Sequence, residues 1–152
     1  MRIISVSNNK GGVGKTTSTV NIAAALQLKG NRVLVIDLDH QAQATYHLGY
    51  NPKQIKKSIY HVLKGELPFD EILINRNDLH ILPANQDLKD IEFLPIPAKE
   101  FLLRDALEEV NGYDFILIDC PPSLGILTLN ALAFSKEILV PLQVQFLPFH
   151  GM

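Results

Sequence analysis

"RIISVSNNKGGVGKTTSTVNIAAALQLKG", residues 2–30, decides the fold. Arg2 to Ser7 alternates β-branched and small residues and reads as a strand. Lys15 to Lys29 is rich in Ala, Leu and Ile and reads as a helix that stops at Gly30. Gly11, Gly12 and Gly14, together with Lys10 and Lys15, therefore fall on a strand-to-helix turn.

The same alternation of types continues outward. "RVLVID", Arg32 to Asp37, is a short continuous apolar run of the kind a parallel sheet covers on both faces. The region from Gln41 to Asp78 is less sharply patterned. In it "SIYHVLKGE", from Ser58, reads as a short capped helix and "LPFDEIL" as a turn or two. "LHILPA", Leu79 to Ala84, returns to strand. Leu103, Ala106, Leu107 and Val110 recur at helical spacing, so "AKEFLLRDALEEV" predicts an amphipathic helix ended by Gly112. "DFILIDC", Asp114 to Cys120, predicts a strand, "LGILTLNALAF" a helix, and "EILVPL", Glu137 to Leu142, a fifth strand. Five strands separated largely by helices imply right-handed crossovers and an α/β, doubly wound, mostly parallel sheet in a single domain over residues 1–152. The last residues, "QFLPFHGM", close no element, and the domain reads as apparently truncated at its C-terminus.

Composition narrows the class. The chain is 47% hydrophobic and 20% charged with net charge −2, in the range of globular proteins rather than disordered or nucleic-acid-coating ones. No apolar run reaches the roughly 18 residues that span a bilayer, and no secretory signal pattern opens the chain, so the expected address is cytoplasmic. Cys120, the single cysteine, predicts neither a disulfide nor a structural zinc site. The five histidines are scattered without ligand spacing and are expected on surfaces or loops.

An anion at a strand–loop–helix junction is held by backbone N–H groups and the positive end of the helix dipole, and glycines let the backbone wrap it closely. Gly11, Gly12 and Gly14 would supply that wrap. Lys15 would reach the β- and γ-phosphates of a nucleotide, and the Thr16 hydroxyl would hold Mg²⁺, as in the pattern G-x-x-x-x-G-K-[ST]. The first glycine of that pattern falls on Asn9, and Lys10 enters just before the double glycine. A magnesium–nucleotide site also needs carboxylates to orient the waters that the ion keeps. Asp119 ends one apolar strand; Asp37 and Asp39 follow another. An aspartate after a strand also serves as a turn former or helix cap. In a parallel sheet, however, all three converge on the edge that carries the phosphate loop. Pro121 and Pro122 make a stiff turn after Asp119, suited either to a nucleotide-sensing switch or to a rigid loop.

These residues resemble the deviant Walker P-loop ATPases of the ParA and MinD type, with "NNKGGVGKTT" similar to their signature loop. "VLVIDLDHQAQAT" is similar to their D-x-D-P-Q segment, and "DFILIDCPPSLGILTLNAL" to their Walker B and switch region. The resemblance is closest to the ParA (Soj-like) partition proteins and runs from Arg2 to Gly151. It implies an ATP-dependent homodimer that binds DNA nonspecifically until a ParB-like partner stimulates hydrolysis, with nucleoid association in the full-length protein. Gly11, Gly12, Val13, Gly14, Lys15, Thr16 and Thr17 would then hold ATP. Lys10 would reach the partner subunit's phosphates, Asp39 would position the attacking water, and Asp37 and Asp119 would support Mg²⁺ through its waters. His40 stands in place of the family's proline, and Ala42 and Gln43 in place of glycine and asparagine. Family members run on beyond this length with the rest of the base pocket and a basic DNA-binding surface. The 14 basic against 16 acidic residues here give no such excess. Alternatives within the resemblance are a non-hydrolysing nucleotide- or partner-binding short form, a MinD-like membrane-cycling ATPase and a small-molecule ligase of the same superfamily. No membrane partner is expected.

Overall fold

The computed structural model describes residues 1–144; the run 145–152, with its expected unfinished end and His150, lies outside the described residues. Six strands form one sheet: β1 (Arg2–Val6), β2 (Val33–Asp37), β3 (Ile74–Arg76), β4 (Leu79–Leu82), β5 (Phe115–Asp119) and β6 (Glu137–Leu139). Their order is β3-β4-β2-β5-β1-β6, and every neighbouring pair is parallel except β3 with β4. Helices α1 (Lys15–Leu28), α2 (Gln43–His47), α3 (Ile59–Leu63), α4 (Leu102–Ala106) and α5 (Ile126–Phe134) complete the α/β, doubly wound architecture.

Side-chain alternation along the strands builds two cores. Leu34, Ile36, Ile116 and Ile118 point to one face, where Leu103, Leu107, Leu127 and Ala131 pack on them from α4, its following turn and α5. Val33, Val35 and Leu117 point to the other, under Ala23 of α1 and Ala44 of α2. Strand β2 is buried at all five positions, which is why its sequence reads as an unbroken apolar run. The parallel register brings three strand ends level: Asp37 pairs with Asp119, and Asp119 with Val6.

Three local expectations are corrected. Among the described residues the sheet has six strands rather than five. The added β3 is a polar, antiparallel edge strand joined to β4 through Asn77 and Asp78, both at positive φ (48° and 63°). That is a tight hairpin turn, which Asn and Asp tolerate. The amphipathic helix expected over residues 98–110 is interrupted: a 3-10 turn, Lys99–Phe101, precedes α4, which ends at Ala106. The buried Asn130 side chain of α5 takes the relevant backbone groups. Its Oδ1 accepts from Leu103 N (2.9 Å) and its Nδ2 donates to Lys99 O (2.6 Å), so the helical ladder cannot begin earlier. The apolar side of the pattern survives, with Leu103, Leu107 and Val110 all buried. Finally, β6 ends at Leu139 rather than Leu142, and the Pro141 carbonyl instead accepts a hydrogen bond from Asn8 Nδ2 (2.9 Å).

Candidate functional site

The loop between β1 and α1 turns on two glycines in the left-handed region, Gly12 (φ +72°) and Gly14 (φ +91°), the second being the N-cap of α1. An L-residue pays roughly 1–2 kcal/mol there. A Cβ built at either glycine meets no atom within 4 Å, so the loop faces open space. No side chain caps α1, and its first turn carries no acidic residue, which leaves the positive end of a 14-residue helix directed at that space. A cavity of about 290 Å³ lies in front of it, lined by Gly11, Gly12, Gly14, Lys15, Thr16, Thr17, Asp39, Gln43, His47 and Pro122.

Lys15 is 7% exposed, and its Nζ donates to the Lys10 carbonyl across the loop (3.0 Å). That contact holds the ammonium at the rim of the cavity without neutralising it. Thr16 Oγ1 donates to Asp119 Oδ2 (2.7 Å), and Thr19 Oγ1 lies 3.2 Å from Asp119 Oδ1. Burial pushes the Asp119 carboxyl up to about 6, against the pull of these two hydroxyls. Asp37, beside it in register, is fully buried. Its Oδ2 accepts from Thr45 N (2.8 Å) and Thr45 Oγ1 (2.7 Å), and its Oδ1 from Asp39 N (3.1 Å). Burial first, and then the neighbouring Asp119 charge, push Asp37 up to about 7. Asp39 reaches the cavity wall, with its Oδ1 accepting from Gln41 N (2.9 Å) and lying 3.8 Å from His40 Nδ1.

The structure thus brings Gly11, Gly12, Gly14, Lys15, Thr16, Thr17 and Asp39 to one cavity. Val13 is buried, so its side chain packs inward while its backbone stays in the loop. Lys10 is exposed and is not among the cavity's lining residues, its amide donating to Asn8 Oδ1 (2.9 Å). Asp37 and Asp119 lie beneath the cavity floor. His47 carries no sequence signal that marks it for the site, whereas Gln43 and Pro122 fall in the segments that follow the strand-end aspartates. Gln43 and His47 share one face of α2, a helix too short to show periodicity. They also line a wider groove of about 1230 Å³ with His40, Tyr46, Tyr50 and Asn85. Among the histidines, His80 departs from the surface expectation. It is a buried β4 residue with its Nδ1 2.7 Å from Tyr113 OH, and burial lowers its basicity.

The family model described as an AAA domain matches residues 1–152. The chromosome partitioning protein ParA of Myxococcus xanthus is 44% identical, over 99% of this chain and 55% of that protein. The sporulation initiation inhibitor protein Soj of Bacillus subtilis is 40% identical over 99% of this chain and 62% of that one. Among solved structures, a cobyrinic acid a,c-diamide synthase from Mycobacterium smegmatis with bound ATP analog and magnesium superposes with TM-score 0.93 at 41% identity. It covers 99% of this chain and 64% of that one. A plasmid partition protein from Borrelia burgdorferi gives TM-score 0.83 at 37% identity, covering 91% and 63%. The chain therefore spans little more than half the length of the ParA relative and under two thirds of the others. With its glycine-wrapped helix end, its Lys15–Thr16 pair and this similarity along its whole length, the chain belongs to the AAA domain family, among the ParA-like P-loop ATPases.

Proposed function

We propose that this chain binds Mg-ATP at the β1–α1 loop and forms the nucleotide-dependent core of a ParA-type partition ATPase. In this reading it acts in chromosome or plasmid partition as an ATP-dependent homodimer, with a ParB-like protein and nonspecific DNA as partners of the longer protein. The observation that carries the reading is the cavity itself. Left-handed glycines, an uncapped helix end, Lys15 and Asp39 meet around a space of about 290 Å³.

The residues fit a magnesium–triphosphate. Amides of residues 11–17 would take phosphate oxygens, and Lys15 would exchange the Lys10 carbonyl for a phosphate oxygen, a charge-assisted bond in place of a neutral one. Thr16, with Asp119 behind it, and Asp39 at the wall would hold the cation and its waters. The cation supplies neutralisation of charge on the transferring phosphoryl group. Asp37 supports from behind, because its oxygens are engaged by Thr45 and by the loop that carries Asp39. Lys10, exposed on the loop, would in this reading reach the phosphates of a second copy, so hydrolysis would depend on assembly. The similarity to the diamide synthase supports the phosphate site equally. One fold hosts different chemistries, so it does not choose between partition and ligase activity.

The deciding experiment is a calorimetric titration of the chain and of Lys15→Ala with Mg-ATP and Mg-ADP. The wild type should bind both and Lys15→Ala neither. Binding that survives the substitution would show that the nucleotide sits elsewhere.

A further inference from the structure

Thr45 is fully buried and joins three elements at one point. Its hydroxyl donates to Asp37 Oδ2 at the end of β2 (2.7 Å) and accepts from Ala84 N just beyond β4 (3.0 Å), while its own amide donates to the same Asp37 oxygen (2.8 Å). The segment so pinned is the one that carries Asp39. Within it Asp39 N is held by Asp37 Oδ1 (3.1 Å), Gln41 N by Asp39 Oδ1 (2.9 Å) and Ala42 N by Asp39 O (2.8 Å). Ala42 sits at φ +51°, a strained conformation for alanine that persists only where its surroundings enforce it. His40 occupies a place where proline would fix φ by itself, so the loop depends on side-chain anchors for its shape.

We infer that Thr45 is the positioning residue of this site: its hydroxyl, bridging the Asp37 carboxylate and the Ala84 amide, fixes loop 38–44 and thereby sets Asp39 at the wall of the phosphate cavity. Thr45 touches no reacting group, and it acts through Asp37 and the backbone of Asp39. The catalytic part of the inference rests on the ATPase reading above; the anchoring part does not.

Thr45→Val keeps the shape and removes the hydroxyl, whereas Thr45→Ser keeps the hydroxyl. In amide hydrogen exchange on the whole chain, Thr45→Val should speed exchange at Asp39, Gln41 and Ala42 by about tenfold, the population shift that loss of one or two hydrogen bonds brings. Exchange in α1 and β5 should stay unchanged, and Thr45→Ser should match the wild type. Affinity for Mg-ADP should stay within about threefold while ATP turnover falls at least about tenfold, a loss of transition-state rather than ground-state interaction. Wild-type exchange in the Thr45→Val loop would overturn the anchor. A loosened loop with undiminished turnover, or equal losses of affinity and turnover, would overturn the positioning role. Should valine prevent folding, Thr45→Cys, which keeps the volume and weakens both hydrogen bonds, gives the same comparison. A wild type that binds no Mg-nucleotide would instead refute the ATPase reading, and the exchange comparison would still decide the anchor.

Discussion

Raising the pH should destabilise the nucleotide-free chain, against the usual behaviour of a protein with ion-paired carboxylates. Asp37 is raised from 3.8 to about 7, first by complete burial and then by repulsion from Asp119, and the donors on its two oxygens only partly offset this. The folded chain therefore keeps a proton on Asp37 at pH values where the unfolded chain has released it. Stability from this group is fully present below about pH 4 and is lost as the pH rises through about 7. A difference of roughly 3 pKa units at 1.36 kcal/mol each corresponds to about 4 kcal/mol over that window. Asp119, raised to about 6, acts in the same direction. Because the two are neighbours, their protons leave in two coupled steps and a measured midpoint belongs to both. Urea unfolding without nucleotide or divalent cations, followed by far-ultraviolet circular dichroism between pH 5 and 8, reads the slope directly. Asp37→Asn has no proton to lose and should flatten it. Equal unfolding midpoints at pH 5 and pH 8, or an Asp37→Asn variant with the full wild-type slope, would refute the reasoning.

Gly14→Ala should cost about 1–2 kcal/mol of folding stability through backbone strain alone, since its Cβ meets no atom within 4 Å. Its methyl enters the phosphate cavity, so Mg-ATP affinity measured by calorimetry should fall further than stability measured by urea unfolding. Lys10→Ala should leave nucleotide affinity intact and remove ATP-dependent dimerisation; an unaffected dimer in analytical ultracentrifugation would count against its cross-subunit role. Asn130→Ala leaves the Leu103 amide and the Lys99 carbonyl without their partner, and should cost about 1–3 kcal/mol in urea unfolding, with faster amide exchange confined to residues 99–103.

Residues 2–30 were legible because both halves of the pattern are local: a run of strand-forming residues and a helix end need no distant partner to be recognised. The left-handed glycines and the Lys15–Thr16 pair belong to the same stretch. Asp37, Asp39 and Asp119 were legible as strand-end carboxylates, but sequence alone could not say that Asp39 would line the cavity while the other two lay beneath it. Asp37 is held there by a 2.7 Å bond from Thr45, the last residue of the segment 33–45, whose hydroxyl no sequence pattern assigns to a strand end eight positions earlier. The interrupted helix at residues 99–106 has the same origin. Its apolar spacing was correct, yet Asn130, from a helix some thirty positions later, decides where it begins. Strand β3 was missed for another reason. An edge strand facing water needs no apolar alternation, and its one local signal was Asn77-Asp78.

If the cavity takes Mg-nucleotide as proposed, the sheet register that places Asp37 and Asp119 side by side would let the site act as a switch. Two buried carboxylates under an open cavity are unfavourable while the cavity holds no cation. A penalty of about 4 kcal/mol is a large share of the 5–15 kcal/mol that separates folded from unfolded domains. A divalent cation bound as proposed would lower the cost of ionising these desolvated carboxylates, and any ligand that favours the folded state stabilises it in proportion to the logarithm of its concentration over Kd. Nucleotide affinity and local order around residues 37–45 would thereby be coupled through the same carboxylates. The coupling passes through Thr16 on one side of Asp119 and through Thr45 on the far side of Asp37. A site built from neutral residues at the two strand ends would fold more stably and would gain nothing from the metal. In the proposed reading, the carboxylates buried at the ends of β2 and β5 would therefore make the loop that carries Asp39 responsive to whether the cavity is filled.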